Sequence, residues 1–374
     1  MTDSATNFST NASPTAGANT LAEIFSEPST WQKCIAALDE TGEMRAAQSG
    51  LSVDRELVFV GCGSSYYLAL TAAATWSLLT GGAARAMPAS EILLFPELLP
   101  RDCGTLLISR SGHTSEIIDA GRYLQSQNRR SALAITCGTD TPLEGVASAT
   151  IRLPEADEKS TVMTRSFSSM LLALQLLAAE KAGAAGFAQE LRSLPGAARH
   201  LVREMDSIVR PLATSRSFED YVFLGQGPFF GIAQEAMLKV KEMSCSYAQC
   251  FHTLEFRHGP KAIVSPETLV TFFLSESGFD SEVSVLEEIK ALGAVTLVVA
   301  NRATAAVRES ADVLIETSLS LPEAARAAAF VIPGQLLGFH TGIRKGFDPD
   351  HPRHLSRVVM LQNDGGGDSG SGAA

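Results

Sequence analysis

Long apolar runs are missing from this sequence of 374 residues, and with them any candidate for a membrane-spanning helix. A basic surplus is missing too: 30 Lys and Arg stand against 41 Asp and Glu, a net charge of −11. An acidic surface repels both nucleic-acid phosphates and anionic lipid, so neither nucleic acid nor membrane is expected as a partner. A small anion held in a local pocket stays allowed. The six cysteines (Cys34, Cys62, Cys103, Cys137, Cys245 and Cys250) include no C-x-x-C pair. Most sit in apolar surroundings, which reads as buried, reduced thiols in a cytoplasmic protein. There is no P-loop. "GCGSSY" lacks the third glycine of a dinucleotide fingerprint, and no acidic residue follows a second strand at the expected distance. His351 and His354 stand three apart, yet no carboxylate or cysteine cluster completes a metal site; no metal and no cofactor are expected. The opening "MTDSATNFSTNASPTAGANT" has neither the basic start nor the apolar centre of a signal peptide. It reads as a disordered tail, and the closing "GGGDSGSGAA" as a flexible end.

What the chain does have is alternation. A first helical segment near Leu21 to Leu38 is followed by apolar strand runs and helical runs in turn. "ELVFVG" (Glu56 to Gly61) leads into an Ala/Leu-rich helix from Tyr66 to Leu79, "TLLIS" (Thr105 to Ser109) into a helix from Ser115, and "ALAITC" (Ala132 to Cys137) is a third buried strand. A helix-rich stretch from about Phe167 to Met205 intervenes, and then the pattern restarts. "DYVFLG" (Asp220 to Gly225), "TLVTFFL" (Thr268 to Leu274), "AVTLVVA" (Ala294 to Ala300) and "ADVLIET" (Ala311 to Thr317) are its strands. Such alternation means βαβ units and parallel sheets covered on both faces. Gly225 follows Gly61 by 164 positions within matching strand-to-helix contexts, and Ser275 follows Ser109 by 166. The near-equal offsets mark two copies of one α/β unit.

In open α/β sheets, ligands bind beyond the carboxyl ends of the strands, where helix N-termini offer free N–H groups and a positive dipole end. Ser109, Ser111 and Thr114 add hydroxyl donors at such a corner, and Gly112 gives the backbone its freedom. Cys62, Gly63, Ser64 and Ser65 build a second corner beside it. Taken singly, each motif reads as an ordinary helix cap. Two adjacent corners in one copy point to a phosphate cradle. In the second copy, Asp280 replaces Thr114, Glu276 replaces Arg110, and Pro228 and Phe229 replace Ser64 and Ser65. Carboxylates repel a dianion, so one phosphate site per chain is expected, in the first copy.

"FVGCGSSYYLAL", "LISRSGHTSEIIDA", "EKSTVMTRSFSSM", the long "FLGQGPFFGIAQEAMLKVKEMSCSYAQCFHTLEFRHGPKAIV" and "DPDHPRHLSRVV" resemble the tandem sugar-isomerase (SIS) module. The resemblance runs in order from Leu51 to Val359 and is nearest to the isomerase half of glutamine–fructose-6-phosphate amidotransferases. It implies an α/β fold of two tandem SIS domains, each a doubly wound, flavodoxin-like parallel sheet flanked by helices. The expected organisation is a disordered tail over 1–20, a phosphosugar-binding SIS domain over 21–195, a second SIS domain over 196–345, and a C-terminal segment over the site within 346–374. Nothing matches the glutaminase half with its N-terminal cysteine nucleophile, so no glutaminase activity is expected. The chain resembles stand-alone relatives, which include glucosamine-6-phosphate deaminases and fructosamine-type 6-phosphate deglycases.

By the same resemblance, Ser64, Ser65, Ser109, Ser111 and Thr114 hold the phosphate, with Cys62, Gly63 and Thr161 nearby and Arg110 where glutamine is usual. Glu242 falls on the proton-transfer carboxylate and Lys239 on its neighbouring lysine. His258 falls on the ring-opening histidine, which in this family reaches a neighbouring subunit's site; a homodimer with shared active sites is the implied assembly. Glu255 is a reserve candidate. Arg357, beside Ser356, occupies the place of a family lysine that forms an imine, and an always-protonated guanidinium cannot do that. Met163 stands near a usual serine and Gln249 where glutamate is common. By spacing alone, Glu235, Lys239 and Glu242 form a solvated, ion-paired stripe opposite Ala233, Ala236, Met237 and Val240; only the downstream motif places them in a site.

Moving a carbonyl between two sugar carbons needs a base that lifts a carbon-bound proton and returns it one carbon away, which a carboxylate with a raised pKa performs. The expected activity is a cytoplasmic aldose–ketose isomerase or deaminase acting on a hexosamine 6-phosphate, with glucosamine 6-phosphate as the leading case. The alternatives are a deglycase and a non-catalytic phosphosugar-binding regulator.

Overall fold

The computed structural model describes residues 15–127 and 132–358. The expected flexible ends lie outside those residues, apart from the last part of the opening tail, which is ordered from Thr15. Helix α1 (Ala18–Thr41) starts three residues before Leu21. Its opening turn is capped from the far end of the chain: Gly17 N donates to the Asp348 carboxylate at 2.8 Å, and Thr20 N and Oγ1 donate to Asp350 at 2.7 and 2.6 Å. Burial pushes the Asp350 carboxyl up, but the Thr20 and Asn19 donors outweigh it and hold the group below its usual range.

Two five-stranded parallel sheets form the frame. The first contains β1 (Glu56–Gly61), β2 (Ala84–Pro88), β3 (Cys103–Ile108), β4 (Ala132–Thr136) and β5 (Ala147–Arg152), in the spatial order β2-β1-β3-β4-β5. The second contains β6 (Asp220–Gly225), β7 (Ala248–His252), β8 (Thr268–Phe273), β9 (Val295–Ala300) and β10 (Val313–Glu316), in the order β7-β6-β8-β9-β10. Counting within each half, both orders are 2-1-3-4-5, so the repeat in the sequence is a repeat in space. The central strands are rich in Val, Ile, Leu and Phe because both of their faces are covered. The edge strands β2, β5 and β7 are partly exposed and lack that signature.

The helices that matter for the site are α2 (Ser64–Thr80), α3 (Ser115–Ser126), α4 (Arg165–Ala182), α5 (Pro228–Ser244), α6 (Phe279–Ala291) and α7 (Ile332–Arg344). One hydrophobic core runs through both halves, drawing Trp31 from α1, Trp76 from α2, Phe167 from α4, Phe229 from α5 and Phe330 into one cluster. The outer face of each sheet has a smaller cluster of its own. Helices α2 and α5 are equivalent in the two copies and pack on each other at the seam. There Thr71 Oγ1 donates to the Pro228 carbonyl at 2.9 Å, and Gly231 meets the Tyr67 carbonyl too closely for any side chain. Because α5 lies between α2, α7 and its own sheet, both of its faces are buried. The expected solvated stripe is therefore absent: Glu235 and Lys239 are fully buried. The cysteines are all free thiols; Cys34 and Cys137 are buried as expected, Cys62, Cys103 and Cys250 are half-buried, and Cys245 is exposed.

Candidate active site

Both copies turn from the first strand into the following helix through a glycine that only glycine can supply. Gly63 has φ 55° and Gly227 φ 51°, a conformation closed to side-chain-bearing residues. The turn sets the N-terminus of α2 at the carboxyl edge of the first sheet, with Ser64 and Ser65 in its first turn. Next to it, the chain leaves β3 through Ser109, Arg110 and Ser111 and enters α3 at Ser115. Gly112, at φ 68°, fits against Thr141, where a Cβ would lie 2.4 Å from the Thr141 hydroxyl oxygen. Ser109 Oγ lies 3.1 Å from Thr114 Oγ1 and accepts from Gly112 N at 3.2 Å, so it braces the loop from beneath. The Ser111 hydroxyl accepts from His113 N at 3.1 Å. The backbone N–H groups of Arg110 and Ser111 meet no protein acceptor among the described residues.

These two corners open on a cleft of about 180 Å³. Cys62, Gly63, Ser64, Ser65, Ser111 and Thr114 line one side of it. Thr161, Met163, Ser356 and Arg357 line the rest, with Arg110, Glu116 and Glu242 between. Lys239 lies just beneath Glu242, and Ser109 just beneath Thr114. Glu255 and His258 are elsewhere: both are exposed, on the short turn that follows β7, and neither lines the cleft. Burial by the surrounding core, ahead of the Glu116 charge, pushes the Cys62 thiol up to about 12, so it stays protonated.

The floor of the cleft is a buried charge cluster contributed by both copies. Lys239 Nζ is 2.5 Å from Glu242 Oε2, 3.1 Å from Glu235 Oε1 and 3.2 Å from Ser64 Oγ, so three partners surround its three protons. Ser64 donates in turn to Glu235 Oε1 at 3.0 Å, joining the first copy's loop to the second copy's helix. Burial of Glu235, opposed by the Lys239 ammonium, pushes its carboxyl up to about 8. Burial pulls Lys239 down, yet the Glu235 and Glu242 carboxylates outweigh it and its pKa is raised. The Glu235 carboxyl thus favours its protonated form and Lys239 its ammonium, which lowers the cost of burying the pair. Glu242 is the member that reaches the cleft, with its side chain 18% exposed and its Oε1 without a protein partner among the described residues. A carboxylate held at one oxygen by a fixed ammonium and open at the other is set up to exchange a proton with a bound molecule.

Glu235 was not among the expected site residues; its signal was the i, i+4, i+7 stripe, which spacing alone assigned to solvent. Glu158 was also missed. It is buried, accepts from Thr164 N at 2.6 Å and Thr164 Oγ1 at 2.7 Å, and shapes the segment that brings Thr161 and Met163 to the cleft.

The second copy has a cleft at the corresponding place, of about 510 Å³, lined by Gly227, Pro228, Ser275, Ser277, Glu282 and Glu323. Its donors are already taken. Glu323 accepts from Glu276 N at 3.1 Å, from Ser277 N at 3.3 Å and from Ser277 Oγ at 2.6 Å. Glu282 accepts from Ser275 N at 3.2 Å and from the Ser275 hydroxyl. Asp280, by contrast, is exposed, and Glu276 pairs with Arg326 at 2.7 Å.

A duplicated 2-1-3-4-5 sheet with serine-rich loops at the strand ends defines the class, and comparison with known proteins agrees. A profile of the SIS domain matches residues 50–180 and 219–340, more than half of the sequence, and the chain belongs to that family. Glutamine–fructose-6-phosphate aminotransferase of Methanothermobacter thermautotrophicus is 26% identical over 351 residues, covering 91% of this chain and 57% of that protein. The Pseudomonas aeruginosa enzyme of that name is 28% identical over 362 residues, covering 91% of this chain and 58% of its own length. The chain therefore spans under three fifths of the length of these relatives. Among solved structures, a glucosamine-6-phosphate deaminase from Thermotoga maritima superposes with a TM-score of 0.78 at 29% identity, covering 92% of this chain and 100% of that one. Tagatose-6-phosphate ketose/aldose isomerase from Escherichia coli shares the fold, with a TM-score of 0.78 at 21% identity.

Proposed function

We propose that the chain is a sugar-phosphate isomerase that deaminates a hexosamine 6-phosphate, with glucosamine 6-phosphate as substrate. The observation that carries the reading is the pairing in one cleft of unpartnered phosphate-type donors from the first copy with the Lys239-held Glu242 carboxylate from the second. The similarity to a deaminase over nearly the whole chain supports it. The phosphate is held by Ser65, Ser111 and Thr114 and by the backbone N–H groups of Arg110 and Ser111. Glu242 takes the proton from C2 of the open-chain aldose, giving a C1–C2 enolamine, and returns it to C1. The C2 imine that results adds water and loses ammonia, leaving fructose 6-phosphate. Lys239 fixes the position of the Glu242 carboxyl through one oxygen, 2.5 Å away. Arg357 cannot form an imine with the sugar, which favours this direct route over ammonia transfer through a covalent adduct.

Ring opening is assigned to His258 of a second copy in a homodimer with shared sites; its exposed position away from its own cleft supports that arrangement. A deglycase reading draws on one observation, the Arg357 guanidinium on the cleft wall, which would pair with the carboxylate of an amino-acid-linked sugar phosphate. The deciding experiment measures ammonia release from glucosamine 6-phosphate beside release of an amino acid from a fructosamine-type 6-phosphate. Ammonia release with C2-proton exchange is the expected result. Binding of both without turnover of either would overturn the enzyme reading in favour of a regulator.

A further inference from the structure

We propose that Arg110, on the rim of the phosphate loop, is a positioning residue that pins the C-terminal strap across the cleft, and not a phosphate ligand. Its guanidinium is directed into the protein. Nη1 donates to the carbonyls of Thr161 and Val162 at 3.0 and 3.3 Å, and Nη2 donates to the carbonyl of Arg357 at 3.0 Å. The buried Glu158 carboxylate lies 3.5 Å from Nη1 and fixes the side chain's direction. Arg110 is only 6% exposed. One planar fork thus ties the phosphate loop to two chain segments that complete the cleft.

The strap has little else to hold it there. Its upstream end is fixed by Asp348 and Asp350 on α1 and by Thr161 N, which donates to the Asp350 carbonyl at 3.2 Å. Beyond Pro352 the run Arg353 to Arg357 is exposed, and His354 takes a left-handed turn at φ 60°. Among the described residues, the cross-contacts at its far end are the Arg110 bond and the surface pair of Arg357 with Asp157, a type of pair that contributes little. Yet this end brings Ser356 and Arg357 to the cleft.

The proposal rests on the reading of the cleft as a sugar-phosphate site, so its test has an arm independent of the ligand. Trypsin acts after Arg353 and Arg357. Arg110→Gln combined with Glu158→Gln removes the fork without stranding a buried charge, and should speed cleavage at these positions about ten-fold, since opening is set by local contacts. Unchanged cleavage in a variant with an unaltered melting curve overturns the pin. The second arm measures fructose 6-phosphate binding by calorimetry. The Gln pair and the pair Ser356→Ala with Arg357→Ala should each weaken binding about ten-fold, while all four changes together weaken it no further, because both act through the same strap. Losses that multiply would mean Arg110 touches the ligand directly and would overturn the proposal. Arg110→Lys, which keeps the charge beside Glu158 but not the fork, should behave as the Gln pair does, and it carries both arms if that pair fails to fold. Should fructose 6-phosphate fail to bind the unaltered chain, the functional reading falls while the trypsin arm still decides the pin.

Discussion

The two clefts of this molecule are built from the same parts and have opposite fillings. In the front cleft, serine-rich loops from the first copy face Glu242 from α5 of the second. In the rear cleft, the loops of the second copy face Leu78 from α2 of the first. Leu78 stands in α2 where Glu242 stands in α5, as Thr75 matches Lys239 and Thr71 matches Glu235. The front loop keeps the Arg110 and Ser111 N–H groups free of protein acceptors among the described residues, whereas the corresponding Glu276 and Ser277 N–H groups of the rear loop both donate to Glu323. A protein carboxylate sits where the other copy offers room for an anion. Duplication made two sockets, and the chain fills one of them with its own side chains.

The sharpest way to break that contrast is Glu242→Gln, which keeps the shape of the front cleft and removes its base. Turnover of glucosamine 6-phosphate should fall by about 10²–10⁴-fold with phosphosugar affinity retained; an intact kcat would remove the proton-transfer role. A smaller effect is expected from Ser109→Ala with Ser111→Ala, which should raise KM by roughly ten-fold or more with kcat nearly kept. The matched pair Ser275→Ala with Ser277→Ala in the rear loop should leave KM unchanged, and equal effects from the two pairs would erase the asymmetry. Smaller again is Glu323→Gln, which weakens three hydrogen bonds on a partly exposed loop. A loss of about 1–2 kcal/mol, a few degrees in a thermal melt, is expected without change in activity. A separate effect is on the pH dependence of stability. Folded Glu235 keeps its proton to about pH 8 but releases it near 4.5 when unfolded, so stability falls as pH rises between those values. Glu235→Gln should flatten that slope in melts from pH 5 to 9, and an unchanged slope would mean Glu235 is ionised in the fold.

Much of this was legible in the sequence, for identifiable reasons. The central strands are buried on both faces, so β1, β3, β4, β6, β8 and β9 each read as continuous apolar runs and fall within a residue or two of the expected limits. The edge strands β2, β5 and β7 have polar or small residues and no such run, and they went unread. The serine loops announced the front cleft through hydroxyls and glycine at the strand-to-helix corners. The buried stripe on α5 did not announce itself, since i, i+4, i+7 spacing is the same whether a helix faces water or a second helix. What buries Glu235 is α2, more than 150 positions away in the chain, and no local pattern encodes that contact. Nor could Glu323 be read as the filler of the rear loop, because Leu-Pro-Glu-Ala follows β5 as well as β10. After β5 its glutamate is Glu155, which lies outside the front cleft.

The carboxylate clasp that Asp348 and Asp350 make on the opening turn of α1 holds the segment after α7 beside the start of the first helix. Ends that meet at the surface can be joined by a short glycine-serine bridge and the polypeptide reopened elsewhere. The exposed Arg216 and Ser217, in the connection between the halves and ahead of the buried Phe218, are a natural place for the new ends. A rearranged protein of that kind would present its second half first and still bring Ser64, Lys239 and Glu242 together, so gene order can change while the chemistry stays put.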